Sequence, residues 1–309
     1  MTKKKIILIL VPVILIILIC VGMGQGAIYA YNYNFAKRYE TAEESIQHVE
    51  DFQGLECEEC KFPSNNGQLL KGYMFSAGEG QRGIVVIAHG FGAGFSSYMK
   101  VANYFAQNGY YVFAYDATGN DASEGDGVGG FPQGVIDLEY AISFVETGGY
   151  YPDLPIVLYG HSWGGYSVCG VLSYHPEVKA VVECSGFSSS TEMVKKVGSD
   201  SVGGIINVLM PSIKLYEGIK FGEYSRNTGV DGLANSNAAV MIVQGENDDV
   251  VPREYGYDIY YEQFKDNPRF DFVMLPDRGH YDIIYDWNNP SSLDEDLMGQ
   301  FLEFYNDNI

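Results

Sequence analysis

The apolar positions divide the chain into one long amino-terminal run and a region where short apolar stretches alternate with amphipathic ones. Residues 6–23 are apolar with few interruptions and follow three lysines at positions 3–5. At a rise of about 1.5 Å per residue, 18 helical residues cover roughly 27 Å, and residues 24–30 extend the run past the ~30 Å hydrocarbon core of a bilayer. The pattern predicts a membrane-spanning helix. Because lysines stay on the cytoplasmic side, the rest of the chain is expected outside.

A cleaved signal peptide is the alternative interpretation of this run. Gly24-Gln25-Gly26 offers small residues for cleavage, but the apolar run is longer than an ordinary signal core and has no Ala-x-Ala site. Cys20 invites comparison with a lipoprotein, although Ile19 before it is bulky for a lipidation site. We therefore favour a retained anchor.

Residues 31–52 are polar, with apolar residues at Ile46, Val49 and Phe52 on a helical spacing. This pattern predicts a membrane-proximal helix or linker. Two strand-like runs follow at residues 58–62 and 69–76. The Asn65-Asn66-Gly67 turn signal between them predicts a hairpin.

From Gly83 onward, strand-like and helix-like segments alternate, which predicts a mostly parallel sheet with helices on both faces. Ser96 is the expected cap of the first of these helices, which ends at Gly109. The predicted strands are residues 83–88, 111–115, 156–159, 180–182, 239–243 and 270–275, and the predicted helices are residues 96–108, 133–146, 163–173 and 293–306.

The alternation stops between Gly186 and Asn237, where glycines and Pro211 interrupt apolar residues that follow no strand pattern. This stretch predicts a helical insertion over the sheet, either a movable lid or a packed decoration. The expected organisation is an anchor at residues 1–30, a linker or helix at 31–56 and one globular domain at 57–309, with residues 187–237 as a cap.

Composition narrows the classes of partner. The chain has 309 residues, 46% of them hydrophobic, so it can bury a substantial core as one large or two small domains. Its 40 acidic residues outnumber 19 basic ones. Nucleic acid and anionic membrane surfaces both require a basic footprint, so neither is an expected partner.

The five cysteines suggest structure more than chemistry. Cys57 and Cys60 could close a small disulfide in an exported domain or remain free thiols. Zinc would need two further ligands, which nothing nearby supplies. Cys169 and Cys184 lie in apolar surroundings and are expected to be small core residues. No metal or organic cofactor is expected.

The strongest chemical signal is the segment Gly160-His161-Ser162-Trp163-Gly164, which joins an apolar strand to a helix-compatible stretch. Small residues on both sides of a serine allow strand and helix to pass closely, and the turn exposes the serine at the sheet edge. Backbone amides at the start of the helix favour a developing negative charge there. Ser162 is therefore a candidate nucleophile. The alternative is a glycine-rich turn without chemistry.

A serine nucleophile needs a base and a group that orients the base. Of the five histidines, His280 is selected by elimination, because it lies in a loop directly after the last predicted strand. The acid should also follow a strand, at the same edge of the sheet. Asp248 and Asp249 both satisfy this condition.

The anion of a tetrahedral intermediate needs two preorganised donors. The N–H of Trp163, directly after the serine, is the natural first donor. The N–H of Phe91, in the loop after the first core strand, is the second. His89 begins that loop and is expected to hold it in place by hydrogen bonds.

With these motifs together, residues 67–309 resemble the α/β-hydrolase fold, in particular its branch of serine esterases, monoacylglycerol-lipase-like enzymes and S33 aminopeptidases. The chain order Ser162, Asp248, His280 is that of this fold. The matching segments are His89-Gly90-Phe91-Gly92, Tyr115-Asp116-Ala117-Thr118-Gly119, Ser123-Glu124-Gly125, Gly160-His161-Ser162-Trp163-Gly164-Gly165, Gly245-x-x-Asp248-x-x-Val251-Pro252 and Gly279-His280.

The family's Gly-x-x-Asp-x-x-Val-Pro pattern implies that Asp248, rather than Asp249, is the acid. Two departures concern loop geometry: Asn120-Asp121-Ala122 stands where relatives often have Gly-His-Gly, and Gln244 where His is common. Both departures affect which substrate the protein would accept, and not which residues would form the triad.

The resemblance implies a serine hydrolase that acts on a small ester, amide or short peptide. With the amino-terminal apolar run and its lysines, we expect this hydrolase to be membrane-anchored and extracytoplasmic. The enzyme alternative is an aminopeptidase, in which Glu183, Glu192 or Glu217 would hold the substrate's ammonium group. The alternative outside enzymes is a catalytically silent binding module on the same fold.

Overall fold

The computed structural model describes residues 3–149, 153–286 and 288–309. Residues 1 and 2 of the predicted anchor lie outside this range. The strands are β1 (Glu56–Pro63), β2 (Leu69–Ser76), β3 (Ile84–Ala88), β4 (Tyr111–Tyr115), β5 (Ile156–His161), β6 (Ala180–Cys184), β7 (Ala239–Gly245) and β8 (Phe270–Leu275). The helices are α1 (Lys3–Phe35), α2 (Met99–Gln107), α3 (Pro132–Thr147), α4 (Trp163–Gly170), α5 (Ser190–Val202), α6 (Ile206–Phe221), α7 (Gly229–Asn235), α8 (Tyr257–Phe264) and α9 (Glu295–Asn308).

The eight strands form one sheet in the order β1-β2-β4-β3-β5-β6-β7-β8. The pairs β1–β2 and β2–β4 are antiparallel, and the remaining pairs are parallel. This is the α/β-hydrolase fold. In the parallel part all strands end at the same edge, so the loops after β3, β5, β7 and β8 converge there.

The core lies on both faces of the sheet, because the central strands are apolar at nearly every position. Successive residues of a strand point to opposite faces. Val86 and Leu158 accordingly pack under α3 and α4, whereas Val85 and Tyr159 pack with residues of α2 and α9. Burial on both faces explains why these strands appear in the sequence as unbroken apolar runs.

Helix α1 is longer than the predicted anchor and is attached to the domain. Its segment Leu10–Phe35 contains an 18-residue window with a mean hydropathy of 2.4, and it is long and apolar enough to cross a bilayer. Apolar side chains are exposed as far as Met23, whereas Ala27, Tyr31 and Phe35 are buried against the protein. The boundary predicted at residue 30 therefore falls inside a continuous helix.

The chain after α1 follows the surface of the domain. The backbone of Tyr39 exchanges hydrogen bonds with Gly119 and Asp121, at 3.0 and 3.2 Å. Thr41 donates to the Asp121 carboxylate from its N–H and its hydroxyl, at 2.7 and 2.6 Å. Beyond this point two 3-10 turns stand where the spacing of Ile46, Val49 and Phe52 suggested a helix.

The interval between β6 and β7 holds the three cap helices α5, α6 and α7. Helix α6 packs against α1: the Tyr31 hydroxyl donates to Glu217 at 2.7 Å, and the Tyr216 hydroxyl donates to Asn32 at 2.9 Å. Ser190 at the start of α5 donates to the same Glu217 oxygen at 2.9 Å. The cap and α1 are therefore joined by buried polar contacts.

Of the two alternatives for Cys57 and Cys60, the structure has the free thiols, and the helix cap predicted at Ser96 is wrong. Cys57 and Cys60 lie on β1, three residues apart, so they point to opposite faces of the sheet and are free thiols. Burial raises the pKa of each thiol to about 11. Ser96 does not cap a helix, because residues Phe95–Tyr98 form a 3-10 turn and α2 begins at Met99.

Candidate active site

Ser162 lies at the tip of the turn between β5 and α4. Its φ of 59° and ψ of −118° place it in a backbone conformation that residues other than glycine rarely adopt. The turn is held because the Ser162 N–H donates to the Cys184 carbonyl at 2.9 Å. A Cβ on Gly160 would overlap the Gly164 carbonyl, and one on Gly164 would overlap the Ala88 carbonyl. The close passage of strand and helix therefore requires both glycines.

His280 and Asp248 form a buried pair in the loops after β8 and β7. The distance from His280 Nδ1 to Asp248 Oδ2 is 2.8 Å, and both side chains are almost fully buried. An ionised carboxylate only accepts hydrogen bonds, so Nδ1 carries the proton and Nε2 has a free lone pair. His280 is thus in the tautomer that can accept a proton from a hydroxyl.

The Asp248 carboxylate is held by three further donors. Its Oδ1 accepts from the N–H groups of Val250 and Val251 at 3.0 and 2.8 Å, and its Oδ2 accepts from the Gln244 amide at 3.2 Å. Burial alone would raise the pKa of Asp248, but the hydrogen bonds from His280 and Val251 outweigh it, so the net pKa is lowered. Asp248 is therefore ionised at neutral pH. Asp249 is exposed and is not part of this pair.

A chain of hydrogen bonds joins the loop after β3 to the loop that carries His280. The Gly90 N–H donates to the Tyr98 hydroxyl at 2.9 Å, so that hydroxyl donates its own proton to His161 Nδ1, also at 2.9 Å. His161 Nε2 then carries the ring proton and donates it to the His280 carbonyl at 2.9 Å. Burial and the neighbouring His280 lower the pKa of His161 to about 3, which keeps it neutral.

The loop after β3 is held in one conformation by His89. Its Nε2 accepts from the Ala117 N–H at 2.9 Å, and its Nδ1 donates to the Gly90 carbonyl at 2.8 Å. Burial lowers the pKa of His89, which favours this neutral form. The ring of Phe91, the next residue, packs edge-on against Trp163 with the centroids 5.4 Å apart. Among the described residues, the N–H groups of Phe91 and Trp163 have no hydrogen-bond acceptor, so both are available to a ligand.

Ser162, His280, Phe91 and Trp163 line one cavity of about 800 Å³. Its walls are mostly apolar and include Phe35 from the end of α1. The other apolar walls are Phe131, Phe187, Met193, Val197, Val250, Val251, Ile283 and Ile284. Among the described lining residues, Glu44 is the only carboxylate. This composition suits an acyl or aryl group rather than a charged one.

The carboxylates considered as ammonium ligands lie elsewhere. Glu183 is buried below the sheet edge, where it accepts from the Gly186 N–H, and Glu217 is buried between the cap and α1. Glu192 is exposed on α5. None of the three lines the cavity.

One group of described side chains has the spacing of a metal site, namely Glu146, His175 and Glu177. Its histidine is already engaged at both nitrogens, with Glu177 at 2.6 Å and the Glu139 carbonyl at 3.1 Å. None of the three residues lines the cavity. The site around Ser162 itself offers serine, histidine and backbone donors.

The structure brings together the residues that the sequence singled out: Ser162, His280, Phe91 and Trp163 at the cavity, with Asp248 behind His280. Sequence reasoning did not assign a role to Tyr98 or His161, and it treated Gln244 only as a departure from the family. Gln244 directly precedes Gly245 of the Gly-x-x-Asp pattern, and this position could have indicated that its side chain contacts Asp248. Nothing in the sequence linked Tyr98 to His161.

The chain matches the family described as serine aminopeptidase, S33, over residues 79–240, which is more than half of its length. No curated protein matches it in sequence. Among solved structures it is similar to an esterase of Pyrococcus furiosus (TM-score 0.68, 17% identity, covering 89% of this chain and 98% of the esterase). It is also similar to an α/β hydrolase of Penicillium (TM-score 0.61, 18% identity, 81% and 97% covered).

A third similar structure is the acylaminoacyl peptidase of Pyrococcus horikoshii, with a TM-score of 0.59 and 16% identity. That match covers 83% of this chain and 42% of the peptidase. At these identities the structural matches show the fold alone, and esterases and peptidases share that fold.

Proposed function

Since the chain belongs to the serine aminopeptidase S33 family of α/β hydrolases, we propose that it is a membrane-anchored serine hydrolase of carboxylic esters. Ser162, His280 and Asp248 form its catalytic triad. The observation that carries the proposal is the buried 2.8 Å contact between His280 and Asp248, at a cavity shared with a serine in a strained turn.

The reaction follows from the tautomer of His280. Its Nε2 takes the proton of Ser162 as the oxygen attacks the substrate carbonyl, and Asp248 stabilises the imidazolium that results. The N–H groups of Phe91 and Trp163 hold the oxyanion. The imidazolium then gives its proton to the leaving alcohol, and the acyl group stays on Ser162. Water, deprotonated by His280, attacks this acyl-enzyme and releases the carboxylic acid.

The walls of the cavity favour an ester with an apolar acyl group over an aminoacyl substrate. A free α-ammonium group needs a carboxylate partner, because a buried unpaired charge is costly. Glu44, the one carboxylate among the described lining residues, is exposed and lies in the segment after α1. Glu183, Glu192 and Glu217 do not reach the cavity.

We propose that α1 anchors the protein in a membrane with the hydrolase domain on the extracytoplasmic side. Support comes from the length and hydropathy of Leu10–Phe35 and from the three lysines that precede the apolar run. The substrate would then be an extracytoplasmic ester.

The triad is tested with the Ser162→Ala variant of the full-length chain and p-nitrophenyl butyrate. We expect a loss of at least about 10³-fold in kcat, because none of the other described residues that line the cavity presents a nucleophile in a comparable turn. A fluorophosphonate probe should label the wild type and not the variant. Undiminished hydrolysis by Ser162→Ala, or no labelling of folded wild type, would favour the silent binding module.

Aminopeptidase activity is the second candidate, because the family's description names it. A comparison of kcat/KM for acyl p-nitrophenyl esters of graded chain length and for aminoacyl p-nitroanilides separates the two. We expect efficient turnover of the esters and little turnover of the anilides. Preferred turnover of anilides with a free amino group would reverse the assignment.

A further inference from the structure

The cap helix α6 is apolar on two opposite faces. One face is buried in the protein and carries Ile206, Met210, Ile213 and Phe221. The opposite face carries a row that we call the outer stripe: Val208, Pro211, Leu215 and Ile219, spaced three or four residues apart. Val208 and Leu215 are each 66% exposed, and Ile219 is 77% exposed. A helix at the surface of a globular protein ordinarily has one apolar face, so a second, exposed apolar face calls for a partner.

The outer stripe continues onto the turn between α5 and α6. Val202 and Ile205 in this turn are 45% and 59% exposed. Together with the outer stripe they form one apolar surface on the cap. Contiguous apolar surfaces of this kind mark sites that contact a protein or a membrane.

The way α1 packs beside α6 indicates what the outer stripe contacts. Helix α6 runs beside α1 in the same sense: Gly24 lies next to Ser212, and Asn32 bonds Tyr216. The middle of the outer stripe, around Pro211 and Leu215, is therefore level with residues 24–32 of α1. Val208, one turn before Ser212, lies about 6 Å further towards the apolar end of α1.

The anchor itself indicates where the membrane surface lies. From Lys5 to Tyr33 the helix measures roughly 42 Å at about 1.5 Å per residue, which is the full thickness of a bilayer with its headgroups, ~40–45 Å. Tyr29 and Tyr33 are 73% and 65% exposed, as expected for tyrosines at a membrane interface. The outer stripe, level with this part of α1, would lie within the outer leaflet.

We propose that the outer stripe and the α5–α6 turn insert into the bilayer beside α1, so that the cavity opens to lipid. This rests on the proposed function, since it requires α1 to cross the membrane. The chain's net charge of −21 argues against attraction to anionic headgroups, but apolar insertion needs no basic surface. The occupant of the outer stripe is the outer leaflet, with its acyl region around Val208 and Pro211 and its headgroup interface around Ile219.

The same arrangement specifies the substrate class. Phe35 ends α1 and lines the cavity, as do Met193 and Val197 of α5. The cavity wall is thus built from the two elements that border the membrane-facing surface. A lipid with a single acyl chain in ester linkage can enter along these residues without crossing water, and its carbonyl then reaches Ser162.

Insertion is tested by tryptophan fluorescence in the full-length chain reconstituted into phosphatidylcholine vesicles with brominated acyl chains. We expect the signal added by Leu215→Trp to be quenched by the brominated lipid. Ile259→Trp is the matched control, because Ile259 is also exposed and apolar but lies on α8, which packs beside β8. Equal quenching, or equal lack of it, at the two positions would overturn the proposal.

A third variant, Ile16→Trp in α1, separates this inference from the anchoring on which it rests. Quenching of Ile16→Trp but not of Leu215→Trp would leave the anchor in place and overturn the insertion of the cap. No quenching of Ile16→Trp would reject the anchor and, with it, the insertion. A Leu215→Trp signal that is shielded from iodide but not quenched by lipid would indicate a protein partner instead.

The effect of insertion on activity is tested with one variant that combines Val208→Gln, Leu215→Gln and Ile219→Gln. We expect about tenfold slower hydrolysis of a long-chain monoacyl ester held in vesicles and an unchanged rate on soluble p-nitrophenyl butyrate. Ile259→Gln should change neither rate. Equal rates of the combined variant and the wild type on the vesicle substrate would contradict the proposal, whereas an inactive wild type on the soluble ester would reject the catalytic assignment alone.

Discussion

At the scale of single residues, hydrogen-bond partners give two neighbouring histidines opposite roles. The rings of His161 and His280 are 4.8 Å apart. His280 donates from Nδ1 to a carboxylate, which leaves Nε2 free to act as a base. His161 uses both nitrogens in bonds to Tyr98 and the His280 carbonyl, so it can only hold its neighbours in position.

The two adjacent aspartates give the sharpest residue-scale prediction. Asp248→Asn should lower kcat by up to about 10⁴-fold, because an amide in place of the carboxylate favours the wrong His280 tautomer. Asp249→Asn should stay within about twofold of the wild type, since Asp249 is exposed. Rates on p-nitrophenyl butyrate decide between them. A comparable loss in both variants would refute the assignment of Asp248.

The hydrogen bonds that link Gly90, Tyr98 and His161 predict that Tyr98 affects catalysis by positioning other groups. Tyr98→Phe leaves the Gly90 N–H without its acceptor, so the adjacent oxyanion donor Phe91 should be less well placed. We expect kcat to fall about tenfold, less than the 10²–10³ seen when a donor itself is removed, with KM little changed. Tyr305→Phe removes one bond from a buried tyrosine to the Leu158 carbonyl, so it should lower stability and spare kcat. Similar kcat values for the two variants would mean that Tyr98 is merely structural.

The site residues differ in how far the sequence could reveal them. Ser162 and His280 sit beside strands whose apolar runs were clear, and Asp248 is selected by a short local pattern. Tyr98 and His161 are 63 residues apart, and their contact exists only because β3 and β5 pair in the sheet. A contact of this kind has no local signature in the chain.

At the scale of elements, the contact between α1 and α6 is a buried polar one. The Glu217 carboxylate accepts from Tyr31 and Ser190 at one oxygen and is 1% exposed. Removing a donor from a buried carboxylate costs about 1–3 kcal/mol. Helix α1 therefore contributes to the stability of the cap.

Tyr31→Phe should accordingly lower the free energy of unfolding by about 1–3 kcal/mol, measured as the unfolding midpoint in detergent micelles. Tyr29→Phe is the control, because Tyr29 is exposed and two residues away on another side of α1. Equal midpoints for Tyr31→Phe and the wild type would show that the bond to Glu217 adds nothing.

The elements were predictable where one pattern dominates. The final strand was expected at residues 270–275 and is observed at Phe270–Leu275, because an apolar run between polar turns has one interpretation. Helix α8 was missed: its residues are mainly tyrosines and charged residues, and two buried side chains, Tyr257 and Tyr260, define its inner face. The end of α1 was misplaced because Tyr31 and Asn32 look polar in the sequence but pack against α6.

At the scale of the whole molecule, Glu183 couples stability to pH. Burial, together with the charge of Asp248, raises the pKa of Glu183 to about 8, although the hydrogen bond from Gly186 opposes the shift. Between its ordinary pKa near 4.5 and 8, the folded protein holds a proton that the unfolded chain has lost. The free energy of unfolding should therefore fall as pH rises through this window.

The Glu183→Gln variant should remove this decline, because glutamine cannot ionise and its carbonyl can still accept from Gly186. We expect the Tm of the variant to overtake that of the wild type as pH rises from 5 to 8, by an amount equivalent to a few kcal/mol at ~1.4 kcal/mol per pKa unit. Glu192→Gln, on an exposed part of α5, should follow the wild type. If Tm changed with pH in the same way for all three proteins, Glu183 would not be the group that couples stability to pH.

The bonds from Tyr31 and Asn32 to α6 also bear on the kinetics at lipid interfaces. An enzyme whose cap must swing away at an interface gains activity abruptly once its substrate aggregates. In the arrangement that we propose, the cap is tied to α1, so it would be held at the bilayer before any substrate arrives and would need no such opening step. We expect the rate to rise smoothly with ester concentration, with no jump at the critical micelle concentration.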